Sequence, residues 1–86
     1  MDIIYSKQAV KFINSLDKTT RLRIKKGIEG LTEKPPQGDI KVLKGFTDER
    51  MRLRIGKYRI VYKYNVMHTI SVLIILDIGS RGDIYK

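Results

Sequence analysis

Apolar residues along the chain change their spacing several times, and each change predicts a different element. Asp2 to Tyr5 contains adjacent isoleucines, which favours a first strand, and Ser6 after it is a suitable helix N-cap. The spacing that follows predicts a helix from about Lys7 to Leu16. Its apolar face would consist of Ala9, Val10, Phe12, Ile13 and Leu16.

A second helix is predicted after Asp17 to Thr20, a polar stretch that interrupts the pattern and supplies cap residues. Its core face would be formed by Leu22, Ile24, Ile28 and Leu31. The Pro35-Pro36 pair ends it, because the residue before a proline is pushed out of the helical region.

The second half of the chain has the pattern of strands. Ile40 to Lys44 is expected to be an extended lead-in, and Arg50 to Ile55 alternates strictly between basic and apolar residues. Gly56-Lys57 then predicts a two-residue turn of the glycine-first type, followed by a return strand from Tyr58 to Tyr64. Thr69 to Ile78 is nearly all apolar, which is typical of a central strand covered on both faces.

This order predicts an α+β domain with the arrangement β-α-α-β-β-β. A two-helix hairpin would pack on one face of a mostly antiparallel four-stranded sheet, and the tail from Gly79 would leave the sheet. The length of 86 residues predicts one domain spanning residues 1–86. With helices on one face, the other face of the sheet is available for binding.

The two-residue turn fixes which hairpin residues share a face. The core face would carry the pairs Ile55 with Tyr58, Leu53 with Ile60, and Met51 with Tyr62. The other face would carry Arg54 opposite Arg59, Arg52 opposite Val61, and Arg50 opposite Lys63. Like charges directly opposite each other destabilise a sheet. Their presence therefore favours a phosphate-binding face over the alternative, a merely solvated sheet face.

The net charge of the chain also favours a phosphate-binding face. The chain has 18 Lys and Arg against 9 Asp and Glu, a net charge of +9, which indicates an anionic partner such as nucleic acid or the ribosome. A membrane surface is the weaker option. The five tyrosines offer possible stacking surfaces for unpaired bases.

Composition also excludes several kinds of chemistry. Without cysteine the chain has no disulfide, thiolate metal site or cysteine nucleophile. No two acids have metal-ligand spacing within one element, so a metal is not expected, and Asp48-Glu49 is interpreted as a turn and solubility pair. No cofactor is expected, since the glycine-rich segment from Gly79 lacks the strand–loop–helix context of a nucleotide-binding loop. His68 is the only histidine and is expected to be an exposed bystander in a turn. No signal peptide or membrane-spanning run is evident, which predicts a soluble, cytoplasmic protein.

Three segments resemble the RelE/ParE superfamily of toxins from toxin–antitoxin pairs. They are Val42-Leu43-Lys44-Gly45, the block from Met51 to Tyr62, and the ending from Asp77 to Tyr85. The Gly-x-Arg…Tyr ending is similar to the RelE branch. That resemblance implies a ribosome-dependent endoribonuclease that cuts mRNA, inhibits translation, and is neutralised in a hetero-oligomer with a cognate antitoxin.

The resemblance also implies catalytic positions. Arg59, Arg81 and Tyr85 match family residues, and Arg52 and Arg54 stand where relatives carry lysines. Arginine stays charged in proteins, so neither strand residue can be the general base. The resemblance makes Tyr85 the candidate for the base or for positioning the 2′-hydroxyl. The remaining cations expected to bind RNA phosphate are Arg50, Lys57, Lys63 and Lys44.

Two other functions remain open at this point. A ParE-like toxin would share the fold and inhibit DNA gyrase. A plain RNA- or ribosome-binding module would use the same cationic face without chemistry.

Overall fold

The computed structural model describes residues 1–67 and 69–80. The elements in chain order are β1 Asp2–Tyr5, α1 Lys7–Asn14, α2 Lys18–Gly30, β2 Asp39–Val42, β3 Met51–Ile55, β4 Tyr58–Met67 and β5 Ile70–Ser80. No helix in these ranges is long and apolar enough to cross a membrane.

Each helix begins at a side chain that satisfies a free backbone N–H group. Ser6 Oγ accepts a hydrogen bond of 3.1 Å from the Ala9 N–H, and the Asp17 carboxylate accepts one of 3.1 Å from the Thr20 N–H. The first helix ends at Asn14, before the predicted Leu16, because Ser15 forms the C-cap. Leu16 still packs against the core, which explains why it fitted the apolar pattern.

The sheet has the strand order β1-β5-β4-β3-β2. β1 pairs with β5 in parallel, and the other neighbours are antiparallel. The predicted α+β class is confirmed, but the prediction of four strands is wrong, since five are present in the part of the chain that is described. The missed strand is β2, where Ile40 lies opposite Leu53 at the edge of the sheet.

The last two strands are longer than predicted. β4 continues past Tyr64 to Met67, so most of the expected turn is strand. β5 continues to Ser80, and Gly79 lies opposite Arg59 instead of leaving the sheet. A bulge separates the pair Val61–Asp77 from the pair Tyr62–Ile75. Leu76 is the extra residue of β5 at this bulge.

The core lies between the helices and one face of the sheet. Its fully buried members on the sheet include Leu53, Ile60, Tyr62, Leu73, Ile75 and Ile78, which meet Ala9, Ile24, Ile28 and Leu31 of the helical side. Tyr64 adds a hydrogen bond of 2.7 Å from its hydroxyl to the carbonyl oxygen of Leu31. The predicted hairpin register is confirmed, with Leu53 opposite Ile60 on this face. The basic residues of the hairpin therefore lie on the opposite face.

Candidate nucleic-acid interface

The face of the sheet opposite the core, here called the outer face, carries the arginines of the hairpin. Arg54 lies directly opposite Arg59, and Arg52 lies opposite Val61. Val61 is only 4% exposed although it is on the face away from the helices. Arg52, its cross-strand neighbour, is also mostly covered, with 12% of its side chain exposed. Arg52 thus lies on a packed part of the face, whereas the side chain of Arg54 is 52% exposed.

A surface cleft of about 560 Å³ adjoins these arginines. It is lined by Lys41, Val42, Leu43, Lys44, Arg52, Arg54 and Arg59. The structure therefore brings together three of the predicted catalytic residues and one predicted phosphate ligand, Lys44. The edge strand β2 and the residues just after it supply the other wall. A cleft with this many cations suits an anionic ligand.

One carboxylate, that of Asp39, forms ion pairs with two arginines of the cleft. Asp39 on β2 accepts a hydrogen bond of 2.6 Å from Arg54 Nε, and its other oxygen lies 3.7 Å from Arg52 Nη2. Asp39 is the cross-strand partner of Arg54, so pairing of the missed strand creates this contact. The hydrogen bond is charge-assisted and short, as expected between a guanidinium and a carboxylate. The sequence analysis did not single out Asp39, because it precedes the extended segment predicted from Ile40.

Arg59 differs from the other two arginines. Its Nη1 donates hydrogen bonds of 3.3 Å to the carbonyl oxygens of Gly56 and Tyr58, which directs the guanidinium back along the turn. Gly56 has φ = 57°, a conformation that the two-residue turn requires and that glycine adopts easily. Within the described residues no carboxylate lies within ion-pair distance of Arg59. Its charge is therefore the least compensated of the three.

A second carboxylate holds two predicted phosphate ligands. Asp48 accepts from Arg50 Nε at 2.9 Å and from Lys63 Nζ at 3.3 Å. The hydrogen bond from Arg50, and then that from Lys63, lower the pKa of Asp48 below its ordinary value. The expectation that Asp48 serves only as a turn and solubility residue is wrong. Arg50 and Lys63 lie together as predicted, but their charge is partly neutralised.

Lys57 lies at the tip of the hairpin, where its Nζ is 5.5 Å from the centre of the Tyr58 ring. This contact is a cation–π interaction. Lys57 is not among the residues that line the cleft. It lies two residues from Arg59, at the end of the hairpin next to the cleft.

The tyrosines of the sheet lie on the core side and not on the outer face. Tyr62 is fully buried, and Tyr58 packs edge-on against Phe12 with ring centres 6.0 Å apart. Burial raises the pKa of Tyr5, Tyr62 and Tyr64 above the ordinary value. The prediction that these side chains offer stacking surfaces for bases is therefore wrong for all four tyrosines that the structure describes.

Three predicted residues lie outside the described ranges. They are Arg81 and Tyr85, expected to be catalytic, and His68, expected to be a bystander. Across residues 1–67 and 69–80, no three His, Asp or Glu side chains gather closely enough to hold a metal ion.

Comparison with known proteins shows which family the chain belongs to. The family model described as "ParE toxin of type II toxin-antitoxin system, parDE" matches residues 3–85, nearly the whole length. The chain belongs to the ParE toxin family. Among curated proteins, none matches it.

Solved structures extend this result to the RelE proteins. The chain is 31% identical to the protein in the archaeal RelE–RelB complex from Pyrococcus horikoshii OT3, with a TM-score of 0.71 and coverage of 95% of this chain and 96% of that chain. The RelB–RelE complex from Methanococcus jannaschii is matched at 27% identity with a TM-score of 0.66, over 95% of this chain and 94% of that chain. The isolated E. coli RelE toxin is matched at 27% identity with a TM-score of 0.66, over 93% of this chain and 83% of that chain.

These matches confirm the predicted resemblance: the ParE-family chain is a toxin of the RelE/ParE superfamily. The family model carries the ParE name, and the solved relatives carry the RelE name. The matches therefore establish the superfamily and include both of its branches.

Proposed function

We propose that this toxin is a RelE-like, ribosome-dependent endoribonuclease that cuts mRNA without a metal and so inhibits translation. The observation that carries the proposal is the cross-strand pair Arg54 and Arg59, which lines one cleft together with Arg52. Identity of 27–31% to RelE proteins over nearly the full chain supports the same branch.

The reaction uses the RNA's own nucleophile. The 2′-oxygen attacks the adjacent phosphorus while a base removes its proton, and the 5′-oxygen leaves with a proton from an acid. The products are a 2′,3′-cyclic phosphate and a 5′-hydroxyl end. Extra negative charge develops on the phosphorane oxygens, and fixed guanidinium groups stabilise it.

Each cleft arginine has a distinct part in this scheme. Arg59, which has no carboxylate partner among the described residues, would meet the phosphate most readily. Arg54 would exchange its hydrogen bond with Asp39 for one with a phosphate oxygen. Arg52, mostly covered, would supply charge from the floor of the cleft. Guanidinium groups bind phosphate oxygens in pairs, which fixes the position of the reacting atom.

Tyr85, which matches the family's C-terminal tyrosine, is proposed as the general base or as the group that positions the 2′-hydroxyl, and Arg81 as a further cation of the site. The cleft arginines cannot accept a proton from the 2′-hydroxyl. Tyr5, Tyr62 and Tyr64 lie on the core side, and burial raises the pKa of each, which makes phenolate harder to form. In general, a guanidinium group close to a phenol favours the phenolate form, which is the form that can act as a base.

The proposed partners are the ribosome with its mRNA and a cognate antitoxin in the cytoplasm. The relatives from P. horikoshii and M. jannaschii were solved as complexes of RelE with RelB. A net charge of +9 suits both an RNA partner and an acidic antitoxin segment.

The second candidate function is inhibition of DNA gyrase. It is favoured by the name of the matching family model, ParE. The ribonuclease is preferred because it gives the arginine cleft a chemical role.

One experiment separates the two functions. The purified toxin is added to translating ribosomes, and mRNA 5′ ends are mapped; in parallel, gyrase and plasmid DNA are assayed for double-strand breaks. The proposal predicts mRNA cuts in phase with codons and intact DNA. DNA breaks with intact mRNA would establish the ParE-like activity instead, and binding without either product would leave a plain ribosome-binding module.

A further inference from the structure

Phe46 is placed unlike the other aromatic residues of the chain. The tyrosines of the sheet and Phe12 pack on the core side. Phe46, in the loop between β2 and β3, is 48% exposed. Among the residues described, it is the most exposed aromatic side chain. An exposed ring is accessible to a ligand, and the loop around it shows how it is held.

The loop that carries Phe46 is held in a fixed shape. A backbone hydrogen bond of 3.0 Å from the Leu43 N–H to the Arg50 carbonyl oxygen closes it. Asp48 ties it to Arg50 and to Lys63 of β4. Glu49 has φ = 56°, an unfavourable conformation for a residue other than glycine. The ring is thus presented by an ordered loop that stores backbone strain.

The ring already rests on a cation. The Cζ atom of Arg50 lies 4.6 Å from the centre of the Phe46 ring, within cation–π distance. The same guanidinium donates to the Asp48 carboxylate, so it is fixed in place. A guanidinium-backed ring with about half its surface free is a suitable platform for another flat π system.

The platform adjoins the arginine cleft. Lys44, which lines the cleft, is two residues from Phe46, and a two-residue step spans at most about 7 Å between Cα atoms. A nucleic-acid strand with one phosphate in the cleft would therefore carry a neighbouring base towards the loop. The surrounding charge, from Lys44, Arg50 and Lys63, is suited to a polyanion.

We propose that Phe46, backed by Arg50, is a stacking site for one unpaired nucleobase next to the phosphate held in the cleft. This inference rests on the proposed function in so far as it takes RNA as the partner. Stacking on an aromatic ring tolerates any base, because every base has a π face. The site would thus fix the position of the strand without selecting a sequence.

The chain has no tryptophan, so Phe46→Trp introduces a single fluorescent reporter at the site. The probe is a short single-stranded DNA oligonucleotide, which has no 2′-hydroxyl and is not cleaved. Binding is followed independently by the anisotropy of a dye on the strand. We expect the strand to quench the fluorescence of the introduced indole, and an abasic strand of equal length to bind without quenching. Leu22→Trp, exposed on the helical side, is the control and should show no quenching.

A second variant tests the energetic contribution of the ring. Phe46→Leu keeps an apolar side chain and removes the π face. It should weaken binding of the base-bearing strand by about 5- to 100-fold and leave binding of the abasic strand within about twofold. Urea unfolding confirms that the variant is folded.

Binding without quenching, or equal affinity of Phe46→Leu and wild type, would overturn the stacking site. So would quenching by the antitoxin alone, which would make Phe46 part of a protein interface. Failure of every oligonucleotide to bind overturns the stacking site together with the RNA partner. Stacking without any mRNA cleavage on ribosomes would retain the site and reject the catalytic function.

Discussion

Arg54 and Arg59 lie directly opposite each other on the outer face of the β3–β4 hairpin. Such a pair of like charges opposes folding, by roughly 0.2–1 kcal/mol in typical sheets. Asp39 compensates Arg54, but no carboxylate among the described residues compensates Arg59. The pair is thus better suited to a bound phosphate than to the stability of the free protein.

Replacing Arg59 should separate stability from activity. In Arg59→Gln the like-charge pair is removed, so the free energy of unfolding should stay equal or rise by up to about 1 kcal/mol. Loss of one guanidinium from the phosphorane should slow mRNA cleavage by about 100-fold or more. Urea unfolding and single-turnover cleavage on ribosomes measure the two effects. The control Lys25→Gln removes the same charge from α2, and a similar loss of cleavage there would point to net charge alone.

Removing the carboxylate of Asp39 should strengthen binding of nucleic acid. In Asp39→Asn, Arg54 and Arg52 no longer share a counter-ion, so more positive charge is available to phosphates. For a single strand, each additional phosphate contact steepens the dependence of log affinity on log salt by about 0.7. Titrations of an oligonucleotide at several salt concentrations check this. Glu33→Gln makes the same change in net charge after α2, so an equal slope in both variants would contradict a specific role of Asp39.

The ion pairs of Asp48 should make part of the stability depend on pH. The folded-state pKa of Asp48 is lower than its ordinary value of 3.8, mainly through the hydrogen bond from Arg50. This stabilisation is therefore present above pH 3.8 and is lost as the pH falls through the folded-state pKa. Asp48→Asn should unfold at a lower urea concentration than wild type at neutral pH. The difference should disappear once the pH is well below the folded-state pKa, and its persistence there would exclude this origin.

The hydroxyl of Tyr64 should matter for stability and not for nucleic-acid binding. Tyr64→Phe loses the 2.7 Å hydrogen bond to the Leu31 carbonyl, which should cost about 0.5–1.5 kcal/mol of unfolding free energy. Oligonucleotide affinity should be unchanged, because Tyr64 lies on the core side. Tyr58→Phe is the matched control, since within the described residues its hydroxyl makes no hydrogen bond. If Tyr64→Phe bound the oligonucleotide more weakly than wild type, Tyr64 would have to contact the nucleic acid.

The hairpin was predictable because local rules determine it. A strict two-residue alternation and a glycine-first turn leave only one register that buries Leu53 and Ile60 together. By contrast, β2 is four residues long, and Val42 within it is 65% exposed, so its apolar pattern is too weak to identify a strand. Its place at the edge of the sheet comes from pairing with β3, which is a tertiary property.

The arginine cluster was predictable for the same reason, but its counter-ions were not. Asp39 meets Arg54 across fifteen positions of sequence, and Asp48 meets Lys63 across the same separation. Neither contact has a local signal. The exposure of Phe46 was not predicted, because a loop has no periodic pattern from which exposure can be inferred. It became visible only when the structure showed the tyrosines packed on the core side and Phe46 open to solvent.

Attack by the 2′-hydroxyl in the arginine cleft is tested most directly with an mRNA that carries a single 2′-deoxynucleotide at the cut position on programmed ribosomes. We predict that wild-type toxin cuts the all-ribose mRNA to a 2′,3′-cyclic phosphate and a 5′-hydroxyl end. It should leave the deoxy-substituted mRNA intact at that position, and Arg59→Gln should cut the all-ribose mRNA at least about 100-fold more slowly. Cutting of the deoxy-substituted mRNA, or an undiminished rate for Arg59→Gln, would contradict metal-free cleavage in the arginine cleft.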